Sequence, residues 1–377
     1  MTGEGNKKLL ILSNPANPHT IKWVKALDER GFKIFVFGLS NYDKKIYESC
    51  KNVLVYSYSF DDNLFTKSDG ALSKIVYLRA LNKLKQVIRE FKPDILHSHY
   101  ATSYGLLGAL TGFHPYIISV WGSDVYDFPK KSWLHRFILK NTLKKTDKIL
   151  STSRAMAEET KLYTNKGIEI TPFGIDAEIF KPMRSESLFE NGEIIIGTVK
   201  TLEVKYGVDN LIKAFGIIKD KYPELPLRLL IVGCGTQETS LKKMVEESGL
   251  KELTTFTGYI LPEEVPRYQN MLTISVSLSL NESFGVAVLE ASACEKPVVV
   301  TNVDGFREIV EDGVTGILVP VGDINKTVEA IENLIEDKEF RIKLGKAGRE
   351  RVIKCYDWKS NVEQMINIYT NLSHPNS

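Results

Sequence analysis

Residues 281–300 read NESFGVAVLEASACEKPVVV and contain a loop, a helix and the start of a strand in succession. A polar loop at residues 281–283 leads through Phe284 and Gly285 into an apolar helical segment, and the three valines after Pro297 predict a buried strand. Gly285 permits a tight entry into the helix, whose first amide groups have no partner within the helix. These amides and the positive end of the helix dipole predict a site for a diphosphate.

Two carboxylates, Glu282 and Glu290, bracket the start of this helix. Eight residues of helix rise roughly 12 Å at about 1.5 Å per residue. We therefore expect the two side chains to contact opposite ends of an extended ligand whose diphosphate lies between them. A nucleotide sugar has this layout, with sugar hydroxyls at one end and ribose hydroxyls at the other. The alternative is a half-exposed helix whose early carboxylates simply suit its dipole.

The stretch resembles the Glu-x7-Glu element of the retaining GT-B glycosyltransferases of family 4. The resemblance is carried by Glu282-Ser-Phe-Gly, the small residues that follow, Glu290-Ala, Pro297-Val-Val and Gly305. It implies an α/β fold of two Rossmann-like domains that face each other across a cleft. It also implies transfer of a sugar from a nucleotide diphosphate to an acceptor hydroxyl, with retention at the anomeric carbon and without a metal or a further cofactor.

Lys200 and Lys205 resemble the Arg/Lys-x4-Lys pair of that family, with a lysine where arginine is commoner. The resemblance implies that both stabilise the departing diphosphate, and that they and Glu282 are the catalytic residues. Without the neighbouring glutamates, two such lysines would be interpreted as solvated surface. The resemblance and the position of the remaining polar residues predict these substrate-binding residues: Ser283, Phe284, Gly285, Val286, Glu290, Ile260, Asp124 and His99.

Length and composition are those of an ordinary globular protein with two domains. The chain has 377 residues, of which 43% are hydrophobic and 25% charged, and this length exceeds one typical domain. The apolar run at residues 9–12 is too short for a signal peptide or a membrane span. Four scattered cysteines predict neither disulfides nor a zinc site, which favours a reducing cytoplasm.

Short β-rich runs alternate with helical patterns along the whole chain, which predicts parallel sheets with crossover helices. The predicted strands of the first half are 8–13, 33–38, 53–58, 94–98, 116–121, 147–152 and 168–171. Those of the second half are 193–199, 227–232, 254–258, 273–278, 297–301 and 316–319. We predict an acceptor-binding domain at residues 1–180 and a nucleotide-sugar-binding domain at 181–355. The resemblance implies that a last helix, within 356–377, crosses back to the first domain.

The first half departs from the family at Trp121, where many members have a histidine beside the reacting sugar. Asp124 is a candidate for acceptor or sugar contacts, and the alternative is an aspartate that caps the next turn. His97 and His99 share one face of a strand at a spacing that fits a metal. Because no third ligand accompanies them, we favour a role for His99 in lining the cleft.

Residues 129–148 contain seven basic residues, one acid and several interleaved apolar side chains. Residues 1–175 as a whole contain 26 basic and 16 acidic residues, although the net charge of the chain is only +2. One interpretation is a basic amphipathic helix on an anionic membrane surface, which would make the protein peripheral at the inner face of the plasma membrane. The other packs the apolar stripe into the core and leaves the lysines solvated.

The resemblance implies the function of a hexosyltransferase in polysaccharide, lipid-linked oligosaccharide or glycolipid synthesis. Its partners would be a nucleotide sugar, such as a UDP-sugar, and a saccharide or lipid-linked acceptor, with no nucleic acid. Two alternatives stay open. A nucleotide-sugar epimerase or a phosphorylase on the same fold would act without this acceptor, and a non-catalytic component of a polysaccharide assembly complex would bind donor without transferring it.

Overall fold

Strands and helices alternate along the chain and form two separate parallel sheets. The computed structural model describes residues 7–58, 79–184 and 186–373. Every strand predicted from the sequence forms, and no strand end differs from its prediction by more than two residues. Within the described residues, no helix has both the length and the hydrophobicity needed to cross a bilayer.

The first unit comprises residues 1–173 and 360–377. Its seven strands lie in the order β3-β2-β1-β4-β5-β6-β7, and all neighbours are parallel. The strands are β1 (Lys8–Leu12), β2 (Lys33–Gly38), β3 (Val53–Ser57), β4 (Ile95–His99), β5 (Tyr116–Val120), β6 (Lys148–Ser151) and β7 (Ile168–Ile170). The helices are α1 (Pro18–Glu29), α2 (Leu81–Phe91), α3 (Ser103–Thr111), α4 (Ser123–Tyr126), α5 (Trp133–Lys144) and α6 (Arg154–Lys161).

The second unit comprises residues 174–359. Its six strands lie in the order β10-β9-β8-β11-β12-β13, again all parallel. The strands are β8 (Ile194–Val199), β9 (Leu227–Val232), β10 (Thr254–Phe256), β11 (Ile274–Ser277), β12 (Val298–Thr301) and β13 (Ile317–Val319). The helices are α7 (Val208–Lys221), α8 (Glu238–Glu247), α9 (Val265–Met271), α10 (Val286–Ala293), α11 (Asp304–Ile309), α12 (Ile324–Glu336) and α13 (Lys338–Cys355).

The central strands of both sheets are buried on both faces. Every residue of β4, β5, β11 and β12 is buried, as expected for parallel strands covered by helices on each side. Strand β12 (VVVT) is accordingly a nearly continuous apolar run, whereas β4 (ILHSH) and β11 (ISVS) also bury polar side chains. Each unit has its own large apolar core, and the prediction of two Rossmann-like halves is confirmed.

The last helix, α14 (Trp358–Ser373), contributes to the first unit. The hydroxyl of Tyr369 lies 2.7 Å from His97 Nδ1, and the other ring nitrogen of His97 lies 2.8 Å from Ser119 Oγ. Earlier in the same helix, Gln364 Nε2 donates to the carbonyl of Ile170 at 2.9 Å. The chain therefore returns from the second unit to complete the core of the first.

His97 and His99 are both neutral in this core. Burial lowers the pKa of His97 to about 3. The pKa of His99 also lies well below its usual value because the ring is buried, and the nearby His97 and His19 lower it further. Both side chains are at most 2% exposed, so protonation of either ring would place an uncompensated charge in the interior.

Acidification should therefore destabilise the first unit selectively. An unfolded histidine takes up a proton near pH 6.5, whereas folded His97 stays neutral down to about pH 3. Because the unfolded chain binds more protons below pH 6.5, each buried histidine lowers the free energy of unfolding by up to about 1.4 kcal/mol per pH unit. The stability that depends on these histidines being neutral is fully present above pH 6.5 and is lost as the pH falls toward 3. Residues 174–359 contain no histidine.

Hydrogen exchange followed by mass spectrometry, corrected for intrinsic rates, measures this effect at about pH 7 and pH 5.5. Protection in β4 and β5 should fall more than protection in β8 and β11, which serve as the internal reference. His97→Gln should reduce the pH dependence in the first unit. Equal losses of protection in both units would contradict this account.

Candidate active site

The strand order of the second sheet reverses between β8 and β11. Ligands of open parallel sheets bind beyond the carboxyl ends of the strands at such a reversal. Lys200 follows β8 directly, and the chain after β11 continues into the loop at residues 281–285. The topology therefore brings two segments predicted to bind donor to the same edge of one sheet.

An ion pair joins these two segments. Lys200 Nζ lies 2.7 Å from Glu282 Oε2, and the two side chains are 15% and 13% exposed. Removing charges from water to this extent is costly unless they are paired. The pair therefore constrains the loop after β8 and the loop after β11 to stay together.

The ring of Tyr206 lies beside both predicted lysines. Lys200 Nζ is 4.3 Å from the ring centroid, and Lys205 Nζ is 4.9 Å from it. The negative face of an aromatic ring attracts a cation at such distances, which offsets part of the repulsion between two ammonium groups. The sequence prediction did not include Tyr206, although an aromatic residue directly after Lys205 was the available signal.

The backbone of this lysine segment is also held against the strand end. The carbonyl of Lys205 accepts a hydrogen bond from the amide of Leu280 at 2.8 Å. Leu280 directly precedes the loop that carries Glu282. Two positive charges and a carboxylate are therefore concentrated where the sheet topology predicts a ligand, an arrangement that suits a polyanion.

The loop that contains Glu282 has an unusual backbone at Gly285, where φ is +107°. This conformation strongly favours glycine, and a Cβ at this position would also lie 2.8 Å from Ile309 Cδ1. The side chain of Phe284 is only 2% exposed and packs on Tyr356 with ring centroids 5.7 Å apart. Any contact of Phe284 with substrate must therefore use its backbone.

Gly305 supports the same loop from the start of α11. Its amide donates to the carbonyl of Glu282 at 3.1 Å. A Cβ at Gly305 would lie 2.5 Å from that carbonyl oxygen and 2.7 Å from the Phe284 nitrogen, closer than real Cβ atoms approach. Only a glycine at residue 305 therefore leaves room for the Glu282 carbonyl at its observed position.

Helix α10 presents one narrow accessible stripe. Of its eight residues, only Val286, Ala287 and Glu290 are partly exposed, and the other five are buried. These three lie within about 100° of the helix circumference at ~100° per residue. The start of the helix and the Glu290 carboxylate thus share the face that a ligand lying along α10 would contact.

Cys294, at the end of α10, is not a competing nucleophile. Burial raises the pKa of its thiol to about 12, and the nearby Glu290 carboxylate adds to this effect, while Lys296 opposes it. The thiolate is the nucleophilic form of cysteine, so Cys294 is unreactive at neutral pH.

Ile260, one of the predicted substrate-binding residues, lies after β10 and is partly buried. Its side chain packs on a small cluster around the strands β8 and β9, and the preceding Tyr259 is 70% exposed. The side chain of Ile260 is therefore occupied by packing, and its predicted contact would have to be made by the backbone.

In the first unit, His99 belongs to a cluster of rings at the carboxyl edge of the sheet. His99 stacks on Trp121 with centroids 4.3 Å apart, and its Nδ1 lies 3.0 Å from Ser13 Oγ. His19 stacks on Phe173 at 3.9 Å, and Trp121 lies 5.3 Å from Phe173. Trp121, the residue that departs from the family pattern, is thus the centre of this cluster. Phe173 was not predicted as part of it.

Asp124 is used within the fold. It is 1% exposed, and its two oxygens accept hydrogen bonds from the amides of Ala101 at 2.8 Å and of Gly122 at 2.8 Å. Burial raises the pKa of this carboxyl, while the backbone hydrogen bonds lower it. The arrangement argues against the predicted direct contact of Asp124 with substrate. Asp124 does not cap the next turn either, because it lies inside α4 and holds the preceding turn, which carries Trp121.

The ring nitrogens of His97 are both engaged, with Tyr369 and Ser119. Across residues 7–58, 79–184 and 186–373, no group of three or more histidine, cysteine, aspartate or glutamate side chains is placed to hold a metal ion. The two hydrogen bonds of the His97 ring thus give this histidine a structural role within the first unit.

Two family models match the chain, one in each half. Residues 180–351 match glycosyl transferases group 1, and residues 8–153 match the glycosyl transferase 4-like model. N-acetyl-alpha-D-glucosaminyl L-malate synthase of Bacillus anthracis is 27% identical over 369 residues, which cover 92% of this chain and 91% of that protein.

Two solved structures have the same fold. Sucrose-phosphate synthase of Thermosynechococcus elongatus superposes with a TM-score of 0.81 at 20% identity, covering 97% of this chain and 99% of that one. HepE of Anabaena, solved in complex with UDP and glucose, has a TM-score of 0.76 at 17% identity, covering 97% of this chain and 100% of its own.

Two parallel-sheet halves of this topology, with these structural neighbours, define the GT-B fold. Glycosyltransferase models match both halves of the chain, and together with the fold they support a glycosyltransferase. The predicted fold class and the predicted resemblance to glycosyltransferases are confirmed at this level. Retention at the anomeric carbon, membership of family 4 and the role of each site residue stay predictions.

Gly305→Ala should disturb the loop around Glu282. The added Cβ would lie 2.5 Å from the carbonyl oxygen of Glu282, and such overpacking costs about 1–3 kcal/mol in free energy of unfolding. Chemical denaturation of the full chain, with hydrogen exchange to locate the change in the second unit, measures this loss.

The matched control is Gly216→Ala within α7, where the new Cβ would lie 3.6 Å from Leu250 Cδ1. That distance is an ordinary contact, and alanine in a helix is more stable than glycine by about 0.5–1 kcal/mol. If Gly305→Ala were as stable as Gly216→Ala, the close approach at residue 305 would not constrain the loop.

Proposed function

We propose that this protein is a retaining, metal-independent hexosyltransferase that uses a UDP-sugar as donor. The acceptor hydroxyl would belong to a saccharide or lipid-linked precursor in polysaccharide, lipid-linked oligosaccharide or glycolipid synthesis. The observation that carries the proposal is the Lys200–Glu282 ion pair of 2.7 Å, next to Lys205 and the start of α10. The four unpaired cysteines are compatible with action in the reducing cytoplasm.

The leaving diphosphate would be bound by Lys200, Lys205 and the amides around Phe284, Gly285 and Val286. Charge develops on the diphosphate as the bond to the sugar breaks, and groups already oriented toward that charge stabilise the transition state. The helix start adds partial positive charge. HepE, which has the same fold, was solved with UDP and glucose, and this supports a UDP-sugar as the donor.

Glu282 would accept hydrogen bonds from hydroxyls of the donor sugar, and Glu290 from the ribose diol. The ion pair with Lys200 orients Glu282 before donor binds. Glu290 shares the accessible stripe of α10 with Val286 at the helix start, so a ligand along this stripe would reach both. These positions support the assignment of the sugar to one end and the ribose to the other.

The proposed reaction is a front-face displacement. The acceptor oxygen bonds to the anomeric carbon on the face that the diphosphate leaves, and the departing phosphate oxygen takes the proton of the acceptor hydroxyl. A covalent intermediate would need a free carboxylate nucleophile, as in a double displacement. Glu282, the carboxylate nearest to the proposed sugar position, is instead paired with Lys200, which lowers its nucleophilicity.

The acceptor would bind to the first unit near the cluster of His19, His99, Trp121 and Phe173. Ligand sites are commonly lined by aromatic side chains with a few polar groups. His99, Trp121 and Phe173 are buried and His19 is partly exposed, so a saccharide would contact this cluster at His19. The name of the relative N-acetyl-alpha-D-glucosaminyl L-malate synthase supports a hexosamine as the transferred sugar.

A thermal-shift screen across nucleotide sugars, followed by a transfer assay, tests the proposed function. A specific donor stabilises the folded chain by RT ln(1+[L]/Kd). We expect one or few UDP-sugars to raise the unfolding temperature, and NMR of the product to show the anomeric configuration of the donor. Inverted product would refute retention. Interconversion of donors without acceptor would indicate an epimerase, and binding with neither transfer nor hydrolysis would indicate a non-catalytic component.

Substitution of each carboxylate should show which end of the donor it binds. Glu290→Gln should weaken both donor and free UDP by about tenfold or more, because a hydrogen bond to a charged group contributes about 1.5–3 kcal/mol. Glu282→Gln should retain UDP binding, since Lys200 loses its competing carboxylate, while transfer falls at least about a hundredfold. Calorimetry with UDP and steady-state kinetics measure the two effects.

Glu329→Gln is the matched control, because Glu329 lies on the same unit and pairs only with the exposed Lys326 at 2.7 Å among the described residues. It should change neither UDP binding nor transfer. Loss of UDP binding in Glu282→Gln together with normal UDP binding in Glu290→Gln would reverse the assignment of the two ends.

A further inference from the structure

The outer face of α5 carries large apolar side chains in water. Trp133 is 79% exposed and Phe137 is 59% exposed. By helical spacing, Lys140 and Lys144 lie on the same face as these two rings, one and two turns further along. We call the four residues Trp133, Phe137, Lys140 and Lys144 the α5 face.

The opposite side of α5 holds the helix in the fold. His135, Leu139 and Leu143 are buried there, and His135 Nδ1 lies 2.7 Å from Ser132 Oγ. Packing of the apolar stripe into the core, one of the two interpretations of the sequence, therefore applies to Leu139 and Leu143, which are buried, and in part to Ile138. It is wrong for Trp133 and Phe137, which are not needed to attach the helix.

A basic groove continues from the α5 face toward the end of α6. It has a volume of about 480 Å³ and is lined by Lys140, Lys144, Lys161, Leu162, Tyr163, Thr164, Asn165 and Lys166. Leu162 at its edge is 57% exposed. The groove thus repeats the combination of exposed apolar and cationic side chains that the α5 face shows.

The positive charge of this region is only partly compensated. Glu159 pairs with Lys130 at 3.1 Å, and Glu158 pairs with Lys161 at 2.7 Å. In the part of the chain that the structure describes, four lysines of this region form no ion pair with a carboxylate: Lys131, Lys140, Lys144 and Lys145. A partner for this surface must therefore be both apolar and negatively charged.

We propose that the α5 face and the adjoining groove dock on an anionic lipid bilayer. Aromatic rings such as those of Trp133 and Phe137 partition to the boundary between headgroups and acyl chains. Lys140 and Lys144 then lie at the level of the anionic headgroups, where each cation strengthens binding. A second copy of this chain is disfavoured as the occupant because it would bring the same uncompensated lysines into contact. The inference is independent of the proposed sugar chemistry.

Vesicle flotation of the full chain, without donor or acceptor, tests the proposal. We expect binding to vesicles of phosphatidylcholine with about one third phosphatidylglycerol, little binding to pure phosphatidylcholine, and release as salt is raised. Since binding is measured without nucleotide sugar, a failure here leaves the proposed function standing, and a failure of transfer leaves this result standing. Equal binding to neutral and anionic vesicles would overturn the proposal.

Two double variants separate charge from apolar anchoring. Lys140→Ala with Lys144→Ala should weaken binding to anionic vesicles about thirtyfold at low salt. Trp133→Ser with Phe137→Ser should weaken it at least about tenfold. Both pairs are exposed, so thermal unfolding should stay as in the wild type.

The matched controls lie on α13 of the second unit. Lys343→Ala with Lys346→Ala removes the same charge from exposed positions. Ile342→Ser with Ile353→Ser removes side chains that are 45% and 47% exposed. Both control variants should bind vesicles as the wild type does. If they lost as much binding as the α5 variants, or if the α5 variants bound normally, the α5 face would not be the docking surface.

Brominated lipid gives a direct readout of Trp133. Among the four tryptophans of the chain, quenching should affect Trp133 and should disappear in Trp133→Phe, which keeps an aromatic ring. Light scattering tests the competing occupant. A dimer that Trp133→Ser with Phe137→Ser converts to monomer, with no vesicle binding by the wild type, would overturn the proposal and assign the surface to self-association.

Discussion

The ion pair between Lys200 and Glu282 is the constraint on which the rest of the candidate active site depends. It joins residues 82 positions apart in the chain, at the carboxyl ends of two neighbouring strands. Because both charges are largely removed from water, each needs the other, and the two loops can vary little without separating them. The ring of Tyr206, the second ammonium group of Lys205 and the start of α10 then take their positions around a fixed centre of charge.

Two glycines make this centre sterically attainable. Gly285 supplies a backbone conformation that other residues adopt only with strain, and Gly305 leaves room for the carbonyl of Glu282. The burial of Phe284 anchors the loop from beneath. Side chains in this region thus serve mainly to hold backbone amides and two charges in place, as expected of a site where amides and charges bind a diphosphate.

The sheets were largely predictable from the sequence, since parallel strands buried on both faces have continuous apolar runs bounded by turn residues. The proximity of Lys200 to Glu282 followed from a family resemblance and not from residue spacing. What the sequence did not reveal depends on burial. Asp124 is polar and close to the strand end, yet its oxygens are used by backbone amides. The rings of Tyr206 and Phe173 contact residues from distant segments of the chain, which the sequence alone does not show. Trp133 is exposed and Leu139 is buried, although both are apolar residues of one helix.

The return of α14 to the first unit has a consequence for how the protein is made. Residues 360–373 leave the ribosome only after the whole of residues 174–359, so the first sheet must wait for its last covering helix while the second unit can fold as one continuous segment. Before α14 packs on the first sheet, His97 Nδ1 lacks the hydrogen bond that it makes with Tyr369 in the folded chain. A buried polar group without such a bond costs about 1–3 kcal/mol. The nascent first half therefore exposes the surface that α14 later covers, during the interval in which the second half is translated.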